Sequence, residues 1–297
     1  MELQITGLSK CYPNGTQALQ DVNLTIPLGM FGLLGPNGAG KSTLMRTLAT
    51  LQDADSGAAR LGDIDVLRQK EEVRKILGYL PQEFGLYPKV SAEDLLTHFA
   101  SLKGITNGKE RRESVHALLE QTNLLEHRKK PLGSFSGGMK QRFGIALALL
   151  GNPRLIIVDE PTAGLDPEER VRFQNLLSAI GENVIVIVST HIVSDVSDLC
   201  SNMAILHGGR VVAAGQPAAL VDGLRGRVWR KSIDRSEVTA YRERFRLISM
   251  RLFAGRTIVH VLNDVEPEDG FESVMPDLED LYFATIRGFL AEEVAVA

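Results

Sequence analysis

The hydrophobic pattern divides the chain into strand-like and helical segments. Short apolar runs at 155–158 and 184–188 are rich in β-branched residues, as expected for strands buried on both faces of a parallel sheet, and the apolar run at 30–34 predicts another buried strand. Between the last two runs, Glu168–Ile180 has helical spacing and predicts the crossover helix of a β-α-β unit. Leu19–Ile26 alternates apolar and polar residues, as a half-buried strand does. The pattern therefore predicts an α/β fold.

Turn signals bound the shorter elements. Residues 58–66 predict a short strand pair around Gly62-Asp63, and Ala204–Val212 predicts a hairpin that turns at Gly208-Gly209. Leu67–Leu77 has helical character, and the strand that follows it ends at a proline.

The middle of the chain is predicted to be helical. Ala92–Lys103 and Lys109–Gln121 carry apolar residues at helical spacing, and Ser136 is placed to cap a third helix over Gly137–Leu150. We therefore expect a helical subdomain at about 84–150, inserted into a strand-rich chain.

Composition changes after about residue 223. Strand-like segments at 226–233 and 247–262 alternate with helical segments at 236–245 and 278–286. We expect residues 1–222 to form the main domain and residues 223–297 to form a small α+β extension with a modest core of its own.

The overall composition narrows the class of protein. A hydrophobic content of 44% in 297 residues supports a complete core, and a net charge of −4 supplies no basic surface for nucleic acid. Cys11 and Cys200 are the only cysteines, which favours a reducing compartment over a disulfide framework. No apolar run approaches the ~18 residues of a membrane span, and the N-terminus lacks the pattern of a secretory signal. We expect a soluble, cytoplasmic protein.

A glycine-rich loop is the most specific motif. It fits the phosphate-binding pattern G-x-x-x-x-G-K-[ST] and lies between a predicted strand and a predicted helix. Its backbone N–H groups and the positive end of the helix dipole favour bound phosphate. Lys41 is expected to reach the β- and γ-phosphates, and Ser42 is expected to hold Mg²⁺. The loop consists of Gly35, Pro36, Asn37, Gly38, Ala39, Gly40, Lys41, Ser42 and Thr43.

Two carboxylates follow the apolar run at 155–158. Asp159 and Glu160 are expected at the carboxyl edge of a parallel sheet, where open α/β sheets bind ligands. Asp159 is expected to hold Mg²⁺ through its water shell, and Glu160 to orient and polarise the water that attacks the γ-phosphate. Alone, two acidic residues at the end of a strand also arise by chance.

Ser136-Gly137-Gly138 opens a predicted helix and predicts a second anion-binding helix start. One chain that binds one γ-phosphate does not need two such sites. Two chains packed head to tail do, because each can close the nucleotide site of the other. In isolation, the segment also fits a flexible turn before a helix.

These motifs together resemble the ATP-binding cassette (ABC) ATPase family over about residues 2–222. They follow the family's order along the chain. The resemblance implies a P-loop NTPase core, with a mixed sheet and an antiparallel β subdomain, that uses ATP with Mg²⁺ as cofactor. The motifs are Gly35–Thr43, Gln82, Ser136–Gly138, Asp159-Glu160, Gly164–Asp166 and His191.

The resemblance also implies roles for single residues. Tyr12 matches the aromatic residue that stacks on adenine, and Gln82 matches the glutamine that ligates Mg²⁺ and senses the γ-phosphate. Asp166 matches the aspartate that couples two sites across a dimer, and it also fits an ordinary helix N-cap before Pro167. His191 matches the histidine that contacts the γ-phosphate.

The resemblance implies a dimeric mechanism. Two Mg·ATP molecules lie between two copies, each held by Lys41 of one copy and Ser136–Gly138 of the other, and hydrolysis at Glu160 reopens the dimer. Phe135 and Met139 stand where the family usually has Leu and Gln, but the phosphate-binding residues between them are retained.

Two functions remain open at this point. The chain is either the ATP-hydrolysing subunit of a membrane exporter, bound to a separate permease at the cytoplasmic face of the membrane, or a soluble ABC ATPase that acts on ribosomes or nucleic acid. A single cassette without sustained heptads or a basic stripe favours transport. Residues 81–88 and 164–167 resemble the ABC-2 exporter type. A permease helix is expected to dock beside Gln82, against exposed residues of Phe84–Ser101.

Overall fold

Three β-sheets and their covering helices make up the part of the chain that the structure describes. It is a computed structural model that describes residues 1–82, 85, 87–181 and 183–290. The strands, in chain order, are β1 (Leu3–Cys11), β2 (Gln17–Ile26), β3 (Gly29–Leu34), β4 (Ser56–Leu61), β5 (Ile64–Asp65), β6 (Leu77–Leu80), β7 (Leu155–Asp159), β8 (Ile185–Thr190), β9 (Asn202–His207), β10 (Arg210–Gly215), β11 (Val228–Ile233), β12 (Arg246–Phe253), β13 (Arg256–Leu262) and β14 (Glu272–Ser273). The α-helices are α1 (Lys41–Leu48), α2 (Lys70–Ile76), α3 (Ala92–Leu102), α4 (Gly108–Gln121), α5 (Gly137–Leu149), α6 (Pro167–Ile180), α7 (Val193–Leu199), α8 (Pro217–Asp222), α9 (Val238–Arg244) and α10 (Leu278–Ile286).

The central sheet is mixed and has six strands in the order β10-β9-β3-β8-β7-β6. All its neighbouring strands are parallel except the β9–β10 hairpin. The predicted β-α-β unit is confirmed as β7-α6-β8. Because β3, β7 and β8 run in parallel, their carboxyl ends meet at one edge, where Leu34 pairs with Thr190 and Asp159 pairs with Ser189.

Alternate residues of the central strands enter two separate cores. Phe31, Ile157 and Ile187 pack with α1 and with the antiparallel sheet β2-β1-β4-β5. On the opposite face, Val158 and Val188 pack with α6 and α7. Both faces are therefore dry, which is why these strands are continuous apolar runs in the sequence and not alternating ones.

The predicted helical subdomain is present as α3, α4 and α5, which share a core of their own. Ser136 caps α5, because its side chain accepts a hydrogen bond from the N–H of Met139 at 3.2 Å. Phe135 is buried edge-to-face against Phe143, and the partly buried Met139 packs on the same core. Phe135 and Met139, the two residues that differ from the pattern the chain resembles, thus both pack in the apolar core of the helical subdomain.

The C-terminal extension has the expected α+β content. Its sheet has the order β12-β13-β11-β14, and one face forms a small core with α9 around Tyr241 and Phe271. The other face is not a separate core, because Ile248 and α10 belong to a large core that also includes Ile205 of β9 and Leu220 of α8 in the main domain. None of the helices in the described residues has the length and apolar composition needed to cross a membrane.

Several predicted boundaries were wrong. The helix predicted over Leu67–Leu77 is only α2, because the carboxylate of Asp65 accepts the N–H groups of Leu67 and Arg68 in a turn, and Leu77 already belongs to β6. The sequence pattern also missed β1, α7, α8 and β14. The alternation in β1 is broken by a register shift between Ile5 and Leu8, and the other three are too short to show a period.

Candidate functional site

A cavity of about 340 Å³ lies at the carboxyl edge of the central sheet. It gathers residues from the β1–β2 turn, the start of β2, the glycine-rich loop with the start of α1, and the segments that directly follow β6, β7 and β8. A larger groove of about 830 Å³ runs between β2 and β10, but none of the predicted site residues lines it. The cavity lining consists of Tyr12, Thr16, Ala18, residues 36–43, Gln82, Glu160 and His191.

The glycine-rich loop turns directly into α1 at Gly40. This residue has a φ of 106°, and a side-chain carbon added to it would lie 2.3 Å from the carbonyl oxygen of Ala18. Only glycine combines this backbone conformation with such close packing. The first residues of α1 therefore face the cavity with free N–H groups, which is the arrangement that binds phosphate at a helix N-terminus.

Lys41 is the first residue of α1 and is 6% exposed. Its amine donates to the carbonyl oxygen of Gly35 at 2.7 Å and lies 4.0 Å from Oε1 of Glu160. Burial lowers the pKa of the Lys41 amine, while the nearby carboxylates of Glu160 and Asp159 act in the opposite direction. A nearly dry cation thus faces the cavity, where its attraction for a phosphate is screened little by water.

Asp159 and Glu160 end β7 with different surroundings. Asp159 is buried and accepts a hydrogen bond from Oγ of Ser189 at 2.6 Å. Glu160 has a φ of 51°, which turns the chain out of the strand, and its N–H donates to the carbonyl oxygen of Ser189 at 2.9 Å. Left-handed backbone at a residue other than Gly, Asn or Asp is uncommon and occurs often at functional sites.

Glu160 and His191 form a close pair at the mouth of the cavity. Nδ1 of His191 lies 2.5 Å from Oε2 of Glu160, and the His191 side chain is half exposed while that of Glu160 is buried. One carboxylate therefore lies between the Lys41 amine and an imidazole. This arrangement can orient a water molecule and respond to a negatively charged ligand.

The remaining predicted cavity residues are also brought together. The hydroxyl of Tyr12 lies 3.2 Å from both Oγ1 of Thr43 and Oε1 of Gln52, which anchors the ring beside the loop. Ser42 and Gln82 are exposed and line the same space. Sequence reasoning missed Ser189 and Gln52. The position of Ser189 could have been found, because the Ser189-Thr190 pair lies at the end of a predicted strand, directly before His191.

The donors near the cavity suit a magnesium ion. Within the described ranges no cluster of three or more His, Cys, Asp or Glu side chains could hold a metal alone. The hydroxyl of Ser42, the amide oxygen of Gln82 and the carboxylate of Asp159 are hard oxygen donors. Mg²⁺ is commonly held by one or two protein oxygens together with substrate phosphates and water, so these residues fit it.

The structure does not bring every predicted site residue into the cavity. Ser136 and Gly137 are exposed at the start of α5, and neither they nor Gly138 line the cavity. Asp166 caps α6 by accepting the N–H of Glu169 at 2.8 Å, which confirms the N-cap interpretation. Within one chain, Ser136–Gly138 thus lie apart from the cavity at the glycine-rich loop.

Known proteins match this chain over most of its length. The sequence profile of the family described as "ABC transporter" matches residues 19–163. The linearmycin resistance ATP-binding protein LnrL of Bacillus subtilis is 33% identical over 265 residues, which cover 89% of this chain and 81% of LnrL. The probable multidrug ABC transporter ATP-binding protein YbhF of Escherichia coli is 36% identical over 228 residues, or 76% of this chain. That match spans only 39% of YbhF's own length.

The fold also matches solved structures. A dimeric, post-hydrolysis structure of the ATP-binding cassette MJ0796, bound to ADP and Pi, aligns with a TM-score of 0.65 and 27% identity. The alignment covers 72% of this chain and 98% of that cassette.

Proposed function

The chain belongs to the ABC transporter family and is one of its ATP-binding cassette ATPases, and on that basis we propose that it powers export through a separate membrane permease. The observation that carries the proposal is the cavity in which Glu160 contacts His191 and lies 4.0 Å from the Lys41 amine, beside a phosphate-binding loop. LnrL is named for resistance to linearmycin and YbhF as a probable multidrug transporter protein. These names favour drug export over the alternative action on ribosomes or nucleic acid.

Each cavity residue has a role in the proposed reaction. Lys41 and the N–H groups of α1 bind the β- and γ-phosphates, and the Tyr12 ring stacks on adenine. Glu160 orients and polarises the attacking water, and His191 contacts the γ-phosphate while holding the Glu160 carboxylate. The oxygens of Ser42, Gln82 and Asp159 would hold Mg²⁺, which would neutralise charge on the phosphates.

The proposed site is completed by a second copy of the chain. Ser136 and Gly137 are exposed at the start of α5, and a side-chain carbon added to Gly137 would meet no described atom of another segment within 4 Å. Such an uncovered helix start suits close approach to the γ-phosphate held by another copy. Asp166, at the start of α6, is proposed to contact the opposite site across the same interface.

The proposed permease contact lies beside Gln82, at the cytoplasmic face of the membrane. Phe84 and Leu86, which belong to the segment expected to dock there, lie outside the described residues. Within that segment, Tyr87 and Phe99 are large apolar residues that are 62% and 38% exposed. Such side chains would supply apolar surface for the proposed contact.

The replacement Glu160→Gln tests the proposed chemistry and the dimer together. It removes the negative charge that polarises water but keeps the size of the side chain, so ATP hydrolysis should fall by about 100-fold or more while ATP binding persists. With hydrolysis blocked, the chain should accumulate as an ATP-bound dimer. Steady-state ATPase assays and size-exclusion chromatography with light scattering measure both results.

Glu168→Gln is the matched control for this experiment. Glu168 is exposed on α6 and pairs only with Arg172 at the surface. This variant should hydrolyse ATP at the wild-type rate and should not trap the dimer. Equal rates in the two variants would remove Glu160 from the proposed role.

A further inference from the structure

Asp195 is a buried carboxylate on α7 with polar partners from three other segments. It is 1% exposed, and both of its oxygens accept hydrogen bonds from side chains. A carboxylate is stable in a protein interior only when it is paired and hydrogen-bonded. The bonds to Asp195 therefore hold each of its partners in a defined position. The proposed chemistry above uses none of these contacts.

The first partner lies just after Glu160. Oγ1 of Thr162 donates to Oδ2 of Asp195 at 2.6 Å. The carbonyl oxygens of Glu160 and Thr162 accept the N–H groups of Ala163 and Leu165 in two successive turns. The Thr162 contact therefore anchors the segment that leaves β7, in which Glu160 itself has left-handed backbone.

The second group of partners is on α6, four and eight residues beyond Asp166. Nη2 of Arg170 lies 2.6 Å from Oδ1 of Asp195, and Nε lies 2.9 Å from the same oxygen. Nε2 of Gln174 donates to that oxygen at 3.0 Å. These bonds fix the N-terminal half of α6 against α7.

The third partner adjoins His191. Oγ1 of Thr190 donates to Oδ2 of Asp195 at 3.3 Å and accepts the N–H of Ile192 at 2.9 Å. Thr190, before His191, is thus bonded to this carboxylate directly, and Ile192, after it, is connected to it through the Thr190 hydroxyl. In addition, the N–H of Asp195 donates to the carbonyl oxygen of Ile192 at 3.2 Å.

We propose that Asp195 is a positioning residue that holds Glu160 and His191 in one geometry and links that geometry to α6. Glu160 and His191 are separated by 31 residues, and Asp195 is bonded to the segment that carries each one. Because Asp195 is also bonded to α6, which Asp166 caps, a shift of α6 would reach both residues through this carboxylate. The inference rests on the roles of Glu160 and His191 given under the proposed function.

Two replacements in the full chain test the proposal. Thr162→Val removes one hydrogen bond to Asp195 and leaves the Arg170 pair intact, while Asp195→Asn removes the charge that pairs with Arg170. We expect each to lower kcat by about 10-fold or more with the KM for ATP changed less than about threefold, because small misplacement of reacting groups costs rate more than binding. Thr162→Ser, which keeps the hydroxyl, should restore most of the rate.

The matched control is Asp198→Asn, three residues further along α7. Asp198 is exposed, and among the described residues its carboxylate accepts a hydrogen bond only from Ser197, at 3.4 Å. The kcat of this control should therefore stay at the wild-type value. Hydrolysis rates are expressed per bound ATP, so that unfolded protein, which binds no ATP, does not lower the measured rate. If Asp195→Asn does not fold, the result for Thr162→Val decides the test. A wild-type kcat per bound ATP in either Thr162→Val or Asp195→Asn overturns the proposal.

Glu160→Gln separates this inference from the proposed function. If Glu160→Gln abolishes hydrolysis while Thr162→Val keeps the wild-type rate, only the role of Asp195 is overturned. If Glu160→Gln still hydrolyses ATP normally, the proposed function of the site itself is wrong.

Discussion

Lys41, Asp159 and Glu160 are ionisable side chains at the site that are each less than 10% exposed. Burying a single charge is costly, but here one cation lies near two carboxylates, and the second also has an imidazole partner. Replacing one of these three side chains by a neutral one would leave the opposite charge buried with fewer partners. Activity is therefore expected to depend on the charge at these positions and not only on side-chain size.

The two cysteines differ in surroundings, and this difference predicts their reactivity. Burial, with a smaller contribution from Asp195, raises the pKa of the Cys200 thiol to about 12. Alkylation requires the thiolate, so at about pH 8 the folded chain should react with iodoacetamide at the exposed Cys11 and not at Cys200. Mass spectrometry of peptides from folded and guanidinium-unfolded protein measures this, since unfolding should make Cys200 reactive.

Cys11→Ser is the control for the labelling experiment. The folded variant should take up almost no label because its remaining thiol is buried. Labelling of Cys200 in the folded wild-type chain as fast as Cys11 would contradict the described packing around α7.

At the scale of elements, α5 connects the Ser136–Gly138 segment to the central sheet. Its first turn is capped by Ser136, and its last two turns pack on the edge strand β6 through Ile145 and Ala148. This close contact is possible because β6 contains Gly78. A side-chain carbon at that position would lie 2.1 Å from the carbonyl oxygen of Ala148.

Gly78→Ala should therefore force α5 away from the sheet. The clash is with backbone atoms, which cannot rotate out of the way, so we expect the free energy of unfolding to fall by about 1–3 kcal/mol, as in other overpacked interiors. Equilibrium unfolding in urea measures the change. Displacement of α5 should also lower ATP hydrolysis, because the helix carries Ser136–Gly138.

Gly108→Ala is the matched control for this replacement. Gly108 is the first residue of α4, and a side-chain carbon there would contact no other atom. Its stability should change little or rise slightly, since alanine favours helix more than glycine does. Identical unfolding midpoints for the two variants would show that β6 and α5 are not in tight contact.

At the scale of the whole molecule, the C-terminal extension is joined to the cassette by shared apolar packing. Leu281 of α10 and Val228 of β11 lie in the same core as Val196 of α7 and Met203 of β9. Separating the extension would expose this surface to water, at a cost that grows with the apolar area. The extension is therefore expected to stabilise the cassette as well as itself.

Leu281→Ala tests this shared core. Leu281 is 2% exposed, and its truncation should lower the stability of the whole chain by about 2–4 kcal/mol through lost burial and a cavity. Leu252→Ala, at a position that is 72% exposed on β12, is the control and should change the stability little. Both are measured by thermal unfolding followed by circular dichroism. A separate, low-temperature transition in Leu281→Ala that left the cassette unaffected would contradict a shared core.

Local patterns in the sequence were enough for the buried strands, the glycine-rich loop and the carboxylate pair at Asp159-Glu160. Each of these features depends on residues that are neighbours along the chain. Continuous apolar runs predict strands that are buried on both faces, and glycines predict the tight turn of the loop. The carboxylate pair is placed by its position directly after a predicted strand. The same was true of the Ser136 cap on α5, which is set within one helical turn.

Tertiary structure alone decided which distant residues meet. Three features had no local signal in the sequence: the 2.5 Å contact between Glu160 and His191, the burial of Asp195 among its polar partners, and the core shared by the C-terminal extension and the main domain. Such contacts are set by the packing of α6, α7 and α10 on the central sheet. The period of a hydrophobic pattern fixes the face that an element buries, but not the partner that covers it.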